Sequence, residues 1–282
     1  MREAGYCNLY GMDVSAENVK ILNEMGIHGE VAGVNTPVSP DYKNFFDFVF
    51  LNAVLEHILF PRKAIGNMRS YLKNNGKLII IVPDMNLIGT GNDDPSHHFH
   101  HEHINYFSIM SLDRLMISEG FRRVCYKNID EKNDLEKLLL AIYEKTDNVS
   151  EADIVDTISA RAIDEYFQKQ RNRLKLTEQK LDDIAKDGGS VILWGMGARM
   201  MQTLANTRLQ YMNIEKCVDG NAVKRNTSIT INEKEFMIEY SEDIGKINNN
   251  SVIIVCCNSK QYESEIENLI LQKKLRNKIV FL

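Results

Sequence analysis

One stretch constrains the fold more than any other: FDFVFLNAVLEHILFPRKAIGNMRSYLKNNGKLIIIVPD, residues 46 to 84. Phe46 to Asn52 and Lys77 to Val82 are short apolar runs of the kind that form strands, and Pro61 to Leu72 between them is helical. Pro61 suits a first helical turn, where its missing N–H is no loss, and Asn75-Gly76 supplies a turn. Val82-Pro83-Asp84 closes the second strand, because proline cannot continue a central ladder. Strand, helix and strand in this order predict one crossover unit of a parallel sheet.

The flanking sequence extends the pattern. Cys7 to Met12 reads as a strand and Ser15 to Met25 as a helix, with Ser15 as N-cap and Gly26 as stop. After a polar, histidine-rich loop, Ser111 to Glu119 reads as a helix ended by Gly120. Arg122 to Lys127 and Leu138 to Tyr143 suit an antiparallel pair at the sheet edge. From Ser150 to about Lys186 the chain is charged and helical, with Ile154, Ile158, Ile163 and Phe167 near a 3.6 period, as one long helix or a helix pair. A second strand–helix start, SVILWGMGARMMQTLANTRL, follows Gly188-Gly189. Ile214 to Asp219, Ser251 to Cys257 and Lys278 to Leu282 then predict a small parallel sheet, with helix Gln261 to Lys274 between the last two. The expected organisation is α/β: a first domain over 1–147, a helical connector over 148–187 and a smaller domain over 188–282.

Length and composition limit the partners. A chain of 282 residues, 44% hydrophobic and 26% charged, is ample for two globular domains. Its net charge of −5 gives no electrostatic reason for a nucleic acid or anionic membrane partner. No apolar run approaches the ~20 residues of a membrane span, and MREAGYCNLYGMD lacks the layout of a signal peptide. The five cysteines show no CxxC spacing, which suits buried thiols and the cytoplasm rather than disulfides or zinc.

The 46 to 84 block resembles the fourth strand, following helix and fifth strand of class I S-adenosylmethionine methyltransferases, including their vLEHv segment. The resemblance implies S-adenosylmethionine as cofactor. It gives Asp13, at the strand end in LYGMDVS, the role of the acid that binds the ribose hydroxyls, with Val14 beside it. Asn35 would lie near the adenine, and Asn52 and Ala53 near the methionine part. Glu56 and His57 would cap and pack the following helix.

PSHHFHHEHINYFSIMSLDRLMISEGF, residues 95 to 121, resembles the substrate loop of sugar C-methyltransferases. Glu102, His103, Tyr106, Phe107, Ser108, Gly120 and Phe121 match; His100 stands where the family carries tyrosine. The implied reaction is C-methylation of a nucleotide-linked sugar. Methylating carbon requires removal of a proton beside a carbonyl, and a histidine such as His103 suits that task. Glu102 would orient the imidazole or bind a hydroxyl, His101 would touch the substrate, and Tyr106 and His100 would stabilise an enolate oxygen. Five of the seven histidines fall between residues 97 and 103, so zinc is the rival explanation, but no recognised spacing is present and no metal is expected.

Two features qualify the resemblance. The family's first strand and glycine-rich turn precede the ribose acid by roughly 20 residues, whereas only twelve residues precede Asp13. A chain without that strand is expected to bind the cofactor weakly and to have open strand edges, which leave room for a homo-oligomer. In the last domain, Gly195 and Gly197 in WGMGA form a GxG turn of Rossmann-like type, with Asp219 ending the next strand. Met200 replaces the third glycine, so a nucleotide-sugar contact is expected there rather than NAD-dependent oxidation. The alternative to an enzyme is a catalytically impaired remnant that binds a sugar nucleotide or a partner protein.

Overall fold

The structure, a computed structural model, describes residues 4–88, 99, 102–129, 137–148, 154–257 and 260–282. The chain divides into two compact units, Met1–Ile88 with His101–Ala162, and Gly89–His100 with Ile163–Leu282.

In the first unit, β1 (Tyr10–Asp13), α1 (Ala16–Glu24) and β2 (His28–Val31) make a strand–helix–strand unit whose strands pair in parallel. A separate four-stranded sheet contains β3 (Phe46–Asn52), β4 (Leu72–Pro83), β5 (Phe121–Ile129) and β6 (Leu138–Lys145) in the order β3-β4-β6-β5. Strand β4 is parallel to β3, and β6 runs antiparallel to both β4 and β5. Among the described residues no ladder joins β1 to β3, so the parallel sheet expected of this half is two sheets. Their beginnings meet through aromatic rings instead: Tyr10 packs edge-on against Phe45 and Phe46, with centroids 5.6 and 5.2 Å apart.

The core of this unit follows from strand alternation. Leu78, Ile80 and Val82 of β4 and Leu139, Ala141 and Tyr143 of β6 are buried in one cluster. Helices α2 (Pro61–Tyr71) and α3 (Ile109–Ser118) contribute Ile65, Met68, Leu112 and Met116 to it. Each such side chain contributes about 1.5–3 kcal/mol on burial. Ser108 fixes the start of α3 through a reciprocal capping box with Ser111.

Helix α4 (Thr157–Lys186) is one continuous run of 30 residues. In the second unit, β7 (Val191–Trp194) leads to α5 (Ala198–Asn206) and β8 (Ile214–Asp219). Then come β9 (Ser228–Ile231), β10 (Lys234–Tyr240), β11 (Val252–Val255), α6 (Lys260–Gln272) and β12 (Ile279–Phe281). The sheet order is β12-β11-β7-β8-β10-β9. Strands β7 and β11 are buried at every position, as central parallel strands are. The expectation of a wholly parallel sheet is corrected at one edge, where β9 pairs antiparallel with β10 across a turn at Asn232 and Glu233.

Candidate active site

Strand β1 delivers Asp13 to its carboxyl end. One carboxylate oxygen accepts the Ser15 backbone N–H at 2.8 Å, and the other accepts the Asn18 side-chain amide at 3.2 Å. These bonds, that from Ser15 foremost, hold the carboxyl below its ordinary value. Ser15 itself caps α1, its hydroxyl accepting the Asn18 N–H. An ionised carboxylate has about four acceptor sites, so Asp13 keeps capacity for further donors. Val14 is 78% exposed. Beyond β2, the loop carrying Asn35 is tied to α2 by the Asn67 amide, which donates to the carbonyls of Val34 and Thr36. The Asn35 side-chain oxygen is buried without a hydrogen-bond partner.

The tip of β3 carries Asn52, exposed, and Ala53 at φ +51°, with its N–H donating to the Ile81 carbonyl at 3.0 Å. That left-handed conformation costs a non-glycine residue about 1–2 kcal/mol. A 3-10 turn, Leu55–His57, follows immediately. Leu55 and Glu56 are buried while His57 is exposed.

The segment after Glu102 docks on this turn. The backbone N–H groups of Ile104 and Asn105 both donate to the Glu56 carbonyl at 3.0 Å. The Asn105 amide donates to the Ile58 carbonyl at 2.6 Å. Nδ1 of His57 lies 2.8 Å from the Glu102 carbonyl. A carbonyl only accepts, so Nδ1 is the donor, and in the neutral ring the lone pair is on Nε2. The His103 ring stands edge-on to His57 with centroids 4.8 Å apart, and 6.4 Å from the Tyr106 ring. Carboxylate and imidazole ligand atoms of Glu56, His57 and His103 lie within 4.8 Å of one another.

Glu102, His103 and Tyr106 are thus gathered beside the turn that leaves β3, whereas Asp13 and Asn35 belong with the β1–β2 pair. His100 and His101 lie outside the described residues. Helix α2 begins at Pro61, and the Glu56 carbonyl and the His57 ring hold the 102–105 segment. Asp84 was not singled out. It follows β4, is buried, and accepts the Asn86 N–H at 2.9 Å and the Asn128 amide. Burial pushes its pKa up against those bonds. The signal was an acid ending a strand.

In the second unit Gly195 has φ +90°, and a Cβ there would stand 3.0 Å from the Cys256 carbonyl, so glycine is required. Gly197 precedes α5, and a Cβ there would meet nothing within 4 Å. The Lys224 ammonium bonds both the Met196 carbonyl and the Asp219 carboxylate at 2.9 Å, so the GxG turn is braced by a cation.

In comparison with known proteins, residues 1–126 match the model of the family described as Methyltransferase domain. An uncharacterized protein of Methanocaldococcus jannaschii is 28% identical over 134 residues, which cover 45% of this chain and 64% of that protein. Among solved structures, the 1,6-didemethyltoxoflavin-N1-methyltransferase of Burkholderia thailandensis, with 1,6-didemethyltoxoflavin and S-adenosylhomocysteine bound, is similar at 16% identity and a TM-score of 0.41, over 52% of this chain and 64% of that one. An S-adenosylmethionine-dependent methyltransferase of Mesorhizobium loti is similar at 13% identity and a TM-score of 0.41, over 51% of this chain and 83% of that one. The chain therefore spans 64% of the length of both the archaeal relative and the Burkholderia enzyme.

Proposed function

We propose that the chain is an S-adenosylmethionine-dependent methyltransferase that methylates a carbon atom of a nucleotide-linked sugar or related activated metabolite, with His103 as general base. The observation that carries this reading is the docking of Glu102–Tyr106 on the Leu55–His57 turn. That turn continues directly from Asn52 and Ala53, so one short stretch of backbone serves both the methyl donor and the base.

When bound, the cofactor supplies an electrophilic methyl group on a sulfonium. Asp13 accepts the two ribose hydroxyls, and Val14 packs beside them. Asn35 holds the adenine: its buried, unpartnered oxygen fits an amino donor, since such an acceptor otherwise costs about 1–3 kcal/mol. The positive φ of Ala53 fits a backbone held for a ligand. His103 removes the proton beside the sugar carbonyl, and Tyr106 with His100 donates hydrogen bonds to the enolate oxygen. Glu102 orients the imidazole or binds a hydroxyl, and His101 touches the substrate. In the second unit, Gly195 and Gly197 with the neighbouring Lys224 ammonium suit a nucleotide-sugar phosphate.

Among the described residues no helix is long and apolar enough to cross a membrane. The cysteine usage supports a cytoplasmic protein. Among the described residues strands β1 and β3 each pair on one side only, which supports a homo-oligomer.

The test is to incubate the full chain with S-adenosylmethionine and nucleotide-linked keto sugars, and to read S-adenosylhomocysteine and the sugar mass. Formation of a C-methylated sugar, lost in His103→Ala, is expected. No product from the native chain, or undiminished turnover in His103→Ala, overturns the reading.

A further inference from the structure

The sequence suggested no metal, because its histidines lack a ligand spacing; the structure groups different residues. We propose that Glu56, His57 and His103 form a site for a divalent first-row transition cation, with zinc the best fit. The three residues come from two segments 46 positions apart, and their ligand atoms lie within 4.8 Å of one another. Two imidazoles and one carboxylate are the ligand set that suits such ions, and three protein ligands leave a position open for water or a substrate oxygen.

Two observations beyond that proximity prepare the site. First, the His57 Nδ1–H is committed to the Glu102 carbonyl at 2.8 Å, which fixes Nε2 as the lone-pair nitrogen. Histidine ligands in metal sites are oriented in this way, by a backbone carbonyl or carboxylate on the other ring nitrogen. Second, the Glu56 backbone anchors the segment that carries His103, by accepting the N–H groups of Ile104 and Asn105. The two segments that carry the ligands are therefore hydrogen-bonded to each other through residues next to the ligands. Glu56 is only 2% exposed, and a buried carboxylate is stabilised by a neighbouring cation.

The site interacts with the function proposed above, although its existence does not depend on that function. A neutral imidazole offers a single lone pair, so His103 takes either the cation or a proton. Cation binding thereby competes with proton abstraction.

The probe is cobalt(II), titrated into the full chain without cofactor or substrate and followed by its visible absorption, with zinc as competitor. The expected result is saturable binding of one cobalt per chain, displaced by zinc. Binding is expected to weaken by about tenfold or more in Glu56→Gln, in His57→Ala and in His103→Ala, each with an unchanged far-ultraviolet circular dichroism spectrum. Absence of a visible spectrum overturns the proposal. So does binding that survives Glu56→Gln and His57→Ala but disappears when His97 and His98 are replaced, which moves the cation to the histidine loop. Because no methyl donor is present, this outcome stands apart from success or failure of methyl transfer.

Discussion

His57 and His103 stand edge to face with ring centroids 4.8 Å apart, although 45 residues separate them in the chain. The contact is made because the His57 ring also holds the Glu102 carbonyl, one residue before His103. The turn at the end of β3 therefore sets where the proposed base lies.

Removing that grip loosens the segment without unfolding the unit. His57→Ala deletes one exposed hydrogen bond, with a net effect of about 1 kcal/mol. The amides of Ile104 and Asn105 are expected to exchange with deuterium several-fold faster, while those of β4 and β6 keep their protection. Unchanged exchange at both amides contradicts the anchoring role.

Asp13 is expected to bind the cofactor as a carboxylate. Its folded pKa lies below the unfolded value, so its stabilising contribution is present above the unfolded pKa and is lost as pH falls through the folded one. Carbon-detected titration is expected to find its midpoint below the usual aspartate range. Asp13→Asn is expected to weaken S-adenosylmethionine binding by about tenfold or more, the value of a charged hydrogen bond. Equal affinity by calorimetry removes Asp13 from the site.

The two glycines of the second unit respond differently. Gly195→Ala forces a side chain into a left-handed conformation against the Cys256 carbonyl and is expected to destabilise the unit by about 1–3 kcal/mol. Gly197→Ala meets open space and is expected to leave the unfolding midpoint almost unchanged. Urea denaturation of the two variants checks the contrast.

Thiol reactivity follows burial. Cys217 is fully buried, which pushes its thiol up to about 12, whereas Cys7 and Cys125 are exposed. Brief treatment of the native chain with iodoacetamide, read by mass spectrometry, is expected to label Cys7 and Cys125 and to spare Cys217. Early labelling of Cys217 contradicts the packing of β8.

These contrasts follow what the sequence made legible. Strand β3 was readable because Phe48–Leu51 is a continuous apolar run between Asp47 and Asn52, and the glycine turn before α5 was readable from its spacing. Strand β2 was not, because His28-Gly29-Glu30-Val31 carries no alternation and becomes a strand only by pairing with β1. The β9–β10 hairpin was hidden for a similar reason: Asn232-Glu233 lacks the glycine that marks two-residue turns, yet both residues take positive φ. At the candidate site, the loop residues Glu102, His103 and Tyr106 are singled out by resemblance alone. The grouping of His103 with Glu56 and His57 is a tertiary contact across 46 positions, which no local spacing encodes.

The most direct test of the account is wash-in of solvent deuterium at the carbon beside the carbonyl of a nucleotide-linked keto sugar. In deuterium oxide with the full chain present, proton abstraction by His103 predicts enzyme-dependent deuterium at that carbon, abolished in His103→Ala. Wash-in that persists in His103→Ala, or methyl transfer that is undiminished in that variant, would contradict it.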